Sequence, residues 1–231
     1  MNEPREAIRE IVVDTETTGL DPDAGHRIVE VACLEVVGYV PTGAHFRRYV
    51  NPGRDMPAEA EAIHGLSSEF LSKHPTFEHI ADEMLDFIGD APLVIHNANF
   101  DLKFLNAELT RIDRPRIDRS RAVDTVALAR RRFPGAQVSL DALCKRFEID
   151  ASARSFHGAL LDCQLLAEVY LELRGGRQPG FDLNRAEAAA QAKIKSAAKP
   201  ARPPRPHAPS AEELAAHAAL LETIKDPIWR R

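Results

Sequence analysis

No stretch of this 231-residue chain approaches the roughly 20 apolar residues needed to cross a membrane, so no membrane partner is expected. The first residues, Met1-Asn2-Glu3-Pro4-Arg5, lack the apolar region of a signal peptide. Cysteine is scarce: Cys33, Cys144 and Cys163 lie far apart and form no C-x-x-C pair. Their odd number argues against a disulfide framework, and the chain reads as cytosolic. Positive charge is also short over most of the length. Residues 1–174 carry 20 Lys and Arg against 29 Asp and Glu, a net −9, while 175–231 carry 10 against 6, a net +4. An acidic first part works against nucleic-acid binding, which leans on Lys and Arg at phosphates. Bound divalent metal would change that local balance. Charge therefore neither supports nor excludes a nucleic-acid substrate.

What the chain does have is a core. Hydrophobic residues make up 44% of it, which excludes global disorder and suits one good-sized domain with room for an appendage. Ile11 to Val13 reads as a buried strand running into Asp14-Thr15-Glu16-Thr17-Thr18-Gly19. Arg27 to Val37 is a second strand, Gly38 to Gly43 has turn chemistry, and Ala44 to Val50 alternates as a third, giving an antiparallel meander. Ala58 to Ala62 is compatible with a helix, followed by a break over residues 63–66. Thr76 is placed to cap an amphipathic helix with Phe77, Ile80, Met84, Phe87 and Ile88 at helical spacing. Pro92 to Ile95 is a short buried strand leading into His96-Asn97-Ala98-Asn99, then a helix with Phe100, Phe104, Leu105 and Leu109 on its apolar side. Ala122 to Asp124 is a fifth strand. Helices follow over Thr125 to Phe133, from the Ser139 cap to Phe147, and over Gly158 to Leu173, the last with Leu160, Cys163, Leu166, Ala167 and Tyr170 inward. The prediction is an α/β domain with a mixed five-stranded sheet and helices on both faces.

Three stretches carry candidate chemistry. Asp14 and Glu16 sit two apart on a strand and so face the same side. Adjacent carboxylates repel unless a proton or cation separates them. D-x-E is a common tripeptide, however, and a strand ending in a polar turn would look the same. Asp101 falls in the first turn of its helix. Asp162, four residues before Leu166, lies near the inward side of the last helix, where a carboxylate needs a partner. Together the four make a plausible oxygen cage for Mg²⁺ or Mn²⁺. Five residues turn a helix by about 500°, so His157 lies about 140° from Asp162 unless it sits on the preceding loop. There it would suit a general base; alone it reads as a solvated histidine.

In this order and spacing, D-x-E, H-N-A-x-F-D and H-x-x-x-x-D resemble the DEDD exonuclease superfamily, which has a ribonuclease-H-like fold. Gly158 stands where the tyrosine-type branch carries Tyr, and His157 stands where the histidine type carries His. D-T-E-T-T-G-L, L-V-I-H-N-A-N-F-D, F-P-G, S-L-D-A-L-C and H-G-A-L-L-D-C-Q-L-L-A-E-V-Y-L are similar, over residues 9–176, to the proofreading (epsilon) subunits of bacterial DNA polymerase III. The resemblance implies a 3′→5′ exonuclease that removes mispaired 3′-terminal deoxynucleotides as 5′-monophosphates. Two divalent ions, Mg²⁺ or Mn²⁺, would be held by Asp14, Glu16, Asp101 and Asp162, with His157 as base. It also implies that the Thr15–Thr17 backbone meets the 3′-OH, that Ile63 and His64 wedge against terminal bases, and that Asn97 holds the strand. Asp124 is expected to support structure. The rival readings are a free-standing exoribonuclease or single-strand DNase, and a catalytically silent module bridging polymerase and clamp.

The remainder divides differently. Residues 1–176 form the expected exonuclease domain, 177–209 a Pro/Arg- and Ala-rich linker, and 210–231 a tail. Gln178, Phe181 and Leu183 match the spacing of a peptide that binds the beta sliding clamp, although Leu183 replaces the usual aromatic; a linker with a chance Phe is the alternative. Ser210-Ala211-Glu212-Glu213 is a capping box opening a short helix with Leu214, Leu221 and Ile224 on one side and Trp229, the only tryptophan, beyond Pro227. Such a helix is too small for its own core. It either docks on a partner or folds back on the parent domain. The resemblance makes that partner the polymerase's catalytic (alpha) subunit. It adds DNA 3′ ends and a small accessory subunit as further partners, in the bacterial cytoplasm and at the nucleoid during replication.

Overall fold

The computed structural model describes residues 8–152, 156–176 and 209–224. The chain divides into two units, Met1–Gly180 and Phe181–Arg231. The first is built on one five-stranded sheet in the order β3-β2-β1-β4-β5, with β1 (Arg9–Thr17) in the middle. β2 (Ile28–Val37) pairs antiparallel with β1, and β3 (Val40–Tyr49) antiparallel with β2. β4 (Leu93–Ile95) and β5 (Ala122–Asp124) run parallel to β1. Parallel strands bring their C-terminal ends to one edge of a sheet, where ligands bind in open α/β folds. That edge receives Asp14 and Glu16 from β1, His96 and Asn97 after β4, and Asp124 from β5.

Strand alternation divides the core into two layers. Ile11, Val13, Leu93 and Ile95 face α3 (Phe77–Ile88) and α4 (Ala98–Arg111). Val12, Val94, Ala32 and Leu34 face α5 (Thr125–Arg132), α6 (Leu140–Phe147) and α7 (Ala159–Leu173). The mixed sheet with three antiparallel strands first, covered by helices on both sides, is the predicted architecture.

Local details depart from the sequence reading. The hairpin between β2 and β3 needs only Gly38 and Tyr39, both at positive φ (59° and 71°), so β3 starts at Val40 and not at Ala44. Paired positive φ values match the right-handed twist of the strands, and an edge strand tolerates Pro41. α1 (Ala58–His64) runs through Ile63 and His64, where a break was expected, and stops at left-handed Gly65. α2 (Ser68–Leu71), capped by Ser67, was not anticipated. Thr76 makes no side-chain cap on α3; its hydroxyl lies 2.8 Å from His79 Nδ1 instead. α7 is buried on more than one side: Leu165 and Val169 are core residues, whereas Leu160 is half-buried. A helix held between a sheet and two neighbouring helices has no single apolar stripe.

In the second unit, α8 (Ala211–Thr223) begins with the predicted capping box, Ser210 with Glu213. Leu214 is exposed and Leu221 half-buried. Ile224 is not on the helix: its backbone is extended (φ −99°, ψ 126°). Gln178, Phe181, Leu183 and Trp229 lie outside the described residues. No described helix is long and apolar enough to cross a membrane.

Candidate active site

Asp14 and Glu16 occupy the last turn of alternation on β1, with Glu16 buried and Asp14 half-buried. Thr15, between them, points to the other face and donates its hydroxyl to Asp101 Oδ1 at 2.7 Å. Asp101 is buried in the first turn of α4, whose entry residue Asn97 is left-handed (φ 67°), a conformation that asparagine tolerates better than most. Asp162 is buried in the first turn of α7. His157 sits on the loop before α7, where a site shared with Asp162 would need it. Its Nδ1 lies 3.4 Å from Asp162 Oδ2, and its side chain is 47% exposed against 5% for Asp162. Its backbone N–H donates to the Ile63 carbonyl at 3.1 Å, which ties this loop to the end of α1. Glu16, His157 and Asp162 each present a ligand atom, and these atoms lie within 4.8 Å of one another.

The carboxylates perturb one another. Burial holds the Asp14 carboxyl well above its ordinary pKa, and Asp101, Glu16, Asp162 and Glu30 add repulsion. Asp101 is pushed up to about 7, chiefly by burial and further by Asp124, against the opposing pull of the Thr15 hydroxyl. Burial depresses His64, and the neighbouring His157 adds to this against the Thr17 backbone and Glu61. A divalent cation would relieve the carboxylate repulsion. An all-oxygen set with one imidazole at its rim fits a hard ion, so the residues suit the expected metal.

Two clefts meet along β1. One, of about 620 Å³, is lined by Asp14, Asn97, Asp124, Arg130, His157 and Asp162 among others. The second, of about 490 Å³, is lined by Thr15, Glu16, Thr17, Ile63, His64 and Phe100 among others. The predicted residues of the first domain thus line these two hollows, except Asp101, which is buried behind them and held by the Thr15 hydroxyl. Ile63 is 53% exposed at the rim, and His64 is buried, with its Nδ1 accepting from the Leu66 N–H. Asp124 caps α5 through the Val126 and Ala127 N–H groups, consistent with a supporting role.

Sequence reasoning passed over Glu30. It sits on β2 directly opposite Glu16, is 1% exposed, and accepts from Arg47 Nε at 2.6 Å and from the Ala159 N–H at 3.3 Å. Like charges across a strand pair are unfavourable, and Arg47 offsets this one. A charged residue in the apolar run Ile28-Val29-Glu30-Val31-Ala32 was the available signal.

Residues 11–170 match the family model described as Exonuclease (RNase_T). The chain is 56% identical over 180 residues to a protein named DNA polymerase III subunit epsilon from Rickettsia felis, covering 77% of this chain and 79% of that one. It is 41% identical over 236 residues to the protein of the same name from Escherichia coli, covering 96% and 97%. Among solved structures it resembles exonuclease X in complex with 5′ overhanging duplex DNA (28% identity, TM-score 0.56, 71% of this chain and 89% of that one). The nuclease domain of 3′hExo, a DEDDh family member bound to rAMP, shares the fold (17% identity, TM-score 0.64, 75% and 96%).

Proposed function

Because this chain belongs to the Exonuclease family, and within it to the DNA polymerase III epsilon subunits, we propose how its residues perform proofreading: removal of mispaired 3′-terminal deoxynucleotides as 5′-monophosphates. The enzyme is a metal-dependent exonuclease on a ribonuclease-H-like fold. The observation that carries the residue assignment is the convergence of Asp14, Glu16, Asp101 and Asp162, with His157, from three chain segments onto the end of one strand.

In this reading Asp14, Glu16, Asp101 and Asp162 hold two Mg²⁺ or Mn²⁺ ions. When bound, such ions lower the pKa of an attacking water and neutralise charge at the leaving 3′-oxygen. His157 is exposed enough to pass a proton to solvent and close enough to Asp162 to be steadied by it, which supports its role as general base. The Thr15–Thr17 backbone meets the terminal 3′-OH, Ile63 and His64 wedge against the terminal bases, and Asn97 holds the strand. A mismatched end frays at lower cost than a paired one. The preference for errors then needs no reading of base identity.

The proposed layout is an exonuclease domain over 1–176, a linker over 177–209 with a sliding-clamp peptide at Gln178, Phe181 and Leu183, and a tail over 210–231. Through Leu214, Leu221, Ile224 and Trp229 that tail docks on the catalytic (alpha) subunit, in the cytoplasm. A small accessory subunit on the catalytic domain completes the proposed set of partners.

The test uses a 3′-mismatched DNA primer, its RNA equivalent, and Mg²⁺ with or without EDTA. Metal-dependent removal of the mismatched deoxynucleotide, abolished by Asp14→Ala with Glu16→Ala, is the expected result. Preference for RNA would sink the proofreading assignment in favour of a free-standing exoribonuclease. Activity surviving EDTA would sink the metal mechanism, and no hydrolysis at all would leave only a bridging module.

A further inference from the structure

In the larger cleft only part of the acidic charge is answered by the proposed metals and by Arg119, whose Nη2 lies 3.7 Å from Asp124 Oδ2. Asp14, Asp124, Asp141 and Asp162 line it, and among the described residues Arg130 is the one Arg or Lys that does so. Arg130 lies in the last turn of α5 and is exposed. No ion pair or ring contact joins it to a described residue, in contrast to its near neighbour Arg132, whose guanidinium lies over Phe133 and Phe147. The two clefts share β1, with Asp14 on one and Thr15 and Glu16 on the other. In the proposed reading, a strand whose last nucleotide lies in the smaller cleft, with its scissile phosphate at the carboxylates, would continue toward the larger one. Its next phosphates there face carboxylates at short range, which is repulsive unless a cation intervenes. A guanidinium offers a phosphate two parallel N–H donors and keeps its charge at any working pH.

We infer that Arg130 is a substrate-binding residue that holds a backbone phosphate of the single strand upstream of the scissile bond. This rests on the proposed exonuclease reading and extends it to the path of the strand. Arg131 supplies an internal control: it is also exposed and unpaired among the described residues, it follows Arg130 by about 100° around the helix, and it does not line the cleft. Arg130→Ala and Arg131→Ala therefore change net charge equally and the cleft unequally.

The experiment measures steady-state excision of a single-stranded DNA oligonucleotide by the full chain in Mg²⁺ across a salt series. Arg130→Ala is expected to raise KM roughly tenfold with kcat unchanged. It should also reduce the slope of log KM against log salt by about 0.7, the value for one phosphate contact on a single strand. Arg131→Ala should change neither, and Arg130→Lys should keep the slope while recovering part of the KM. Arg130→Ala behaving like Arg131→Ala would overturn the assignment, as would a loss in kcat at unchanged KM and slope. Failure of the unaltered chain to excise DNA would instead strike the proposed function itself.

Discussion

The Thr15 hydroxyl donates to Asp101 Oδ1 at 2.7 Å, joining residues 86 positions apart in the chain. This bond pulls the Asp101 pKa down against the burial that pushes it up to about 7. Thr15→Val removes the donor while keeping the shape, so Asp101 should hold its proton more tightly and yield to metal less readily. A hydrogen bond to a charged group contributes about 1.5–3 kcal/mol, and the Mg²⁺ concentration for half-maximal activity should rise roughly tenfold or more. Titration of activity against Mg²⁺ for Thr15→Val and Thr15→Ser checks this, with Thr15→Ser close to the unaltered enzyme.

Without metal, the site makes stability depend on pH in an unusual direction. Asp101 has a pKa of about 7 in the folded chain and about 3.9 when unfolded, so between these values the folded state holds the extra proton. Stability is then fully present below about pH 4 and lost as pH rises to about 7, on the order of a few kcal/mol. His64, depressed by burial, opposes this trend below the ordinary histidine range. Thermal melts in EDTA should show the fall, Asp101→Asn should reduce it and leave the part that the similarly raised Asp14 contributes, and Mg²⁺ should raise the melting temperature most at the alkaline end.

His157 places its ring beside Asp162 in the site and ties its loop to α1 through its backbone. His157→Ala should lower kcat by about 10²–10⁴ while KM stays near its original value. Unfolding free energy should shift by no more than about 0.5 kcal/mol, as for other exposed side chains. A large loss of stability would show that the ring is structural.

Glu30 reaches the site through α7. It accepts from the first N–H of that helix, at Ala159, between His157 and Asp162. Glu30→Ala leaves Arg47 without its buried partner and the helix start untethered, and should cost about 1–3 kcal/mol of stability together with a drop in kcat. Glu30→Gln keeps an acceptor for Ala159 and should recover most of the kcat. Chemical denaturation and single-turnover excision separate the two effects.

The tail has its own outcome. Truncation before Ser210 should spare excision of a mismatched primer and abolish co-purification with the catalytic polymerase subunit. Retained binding would place the docking surface elsewhere.

Much of this was legible from local chemistry. Asp14 and Glu16 face one side because strands alternate; Ser139 and Ser210 cap because their oxygens reach backbone N–H groups within three residues. If His157 and Asp162 serve one site, His157 has to lie off the helix, because five residues do not return to the same face. The misses share a cause. The length of the β2–β3 turn depended on two positive φ values, one of them at a tyrosine that carries no turn signature. Ile224 leaves α8 because the helix ends at Thr223, an end that periodicity does not mark.

The sequence by itself determined the residue types of the site, their order, and the alternation and capping that aim each one, since those are short-range properties of the chain. Tertiary structure decided which of them meet. The register of β1 against β2 set Glu30 opposite Glu16; the packing of α4 brought Asp101 to Thr15; and the loop before α7 returned His157 to both Asp162 and the Ile63 carbonyl. Arg130 became a cleft residue only because α5 lies beside the carboxylate edge of the sheet, a neighbour relation that depends on long-range packing and leaves no periodic trace in the chain.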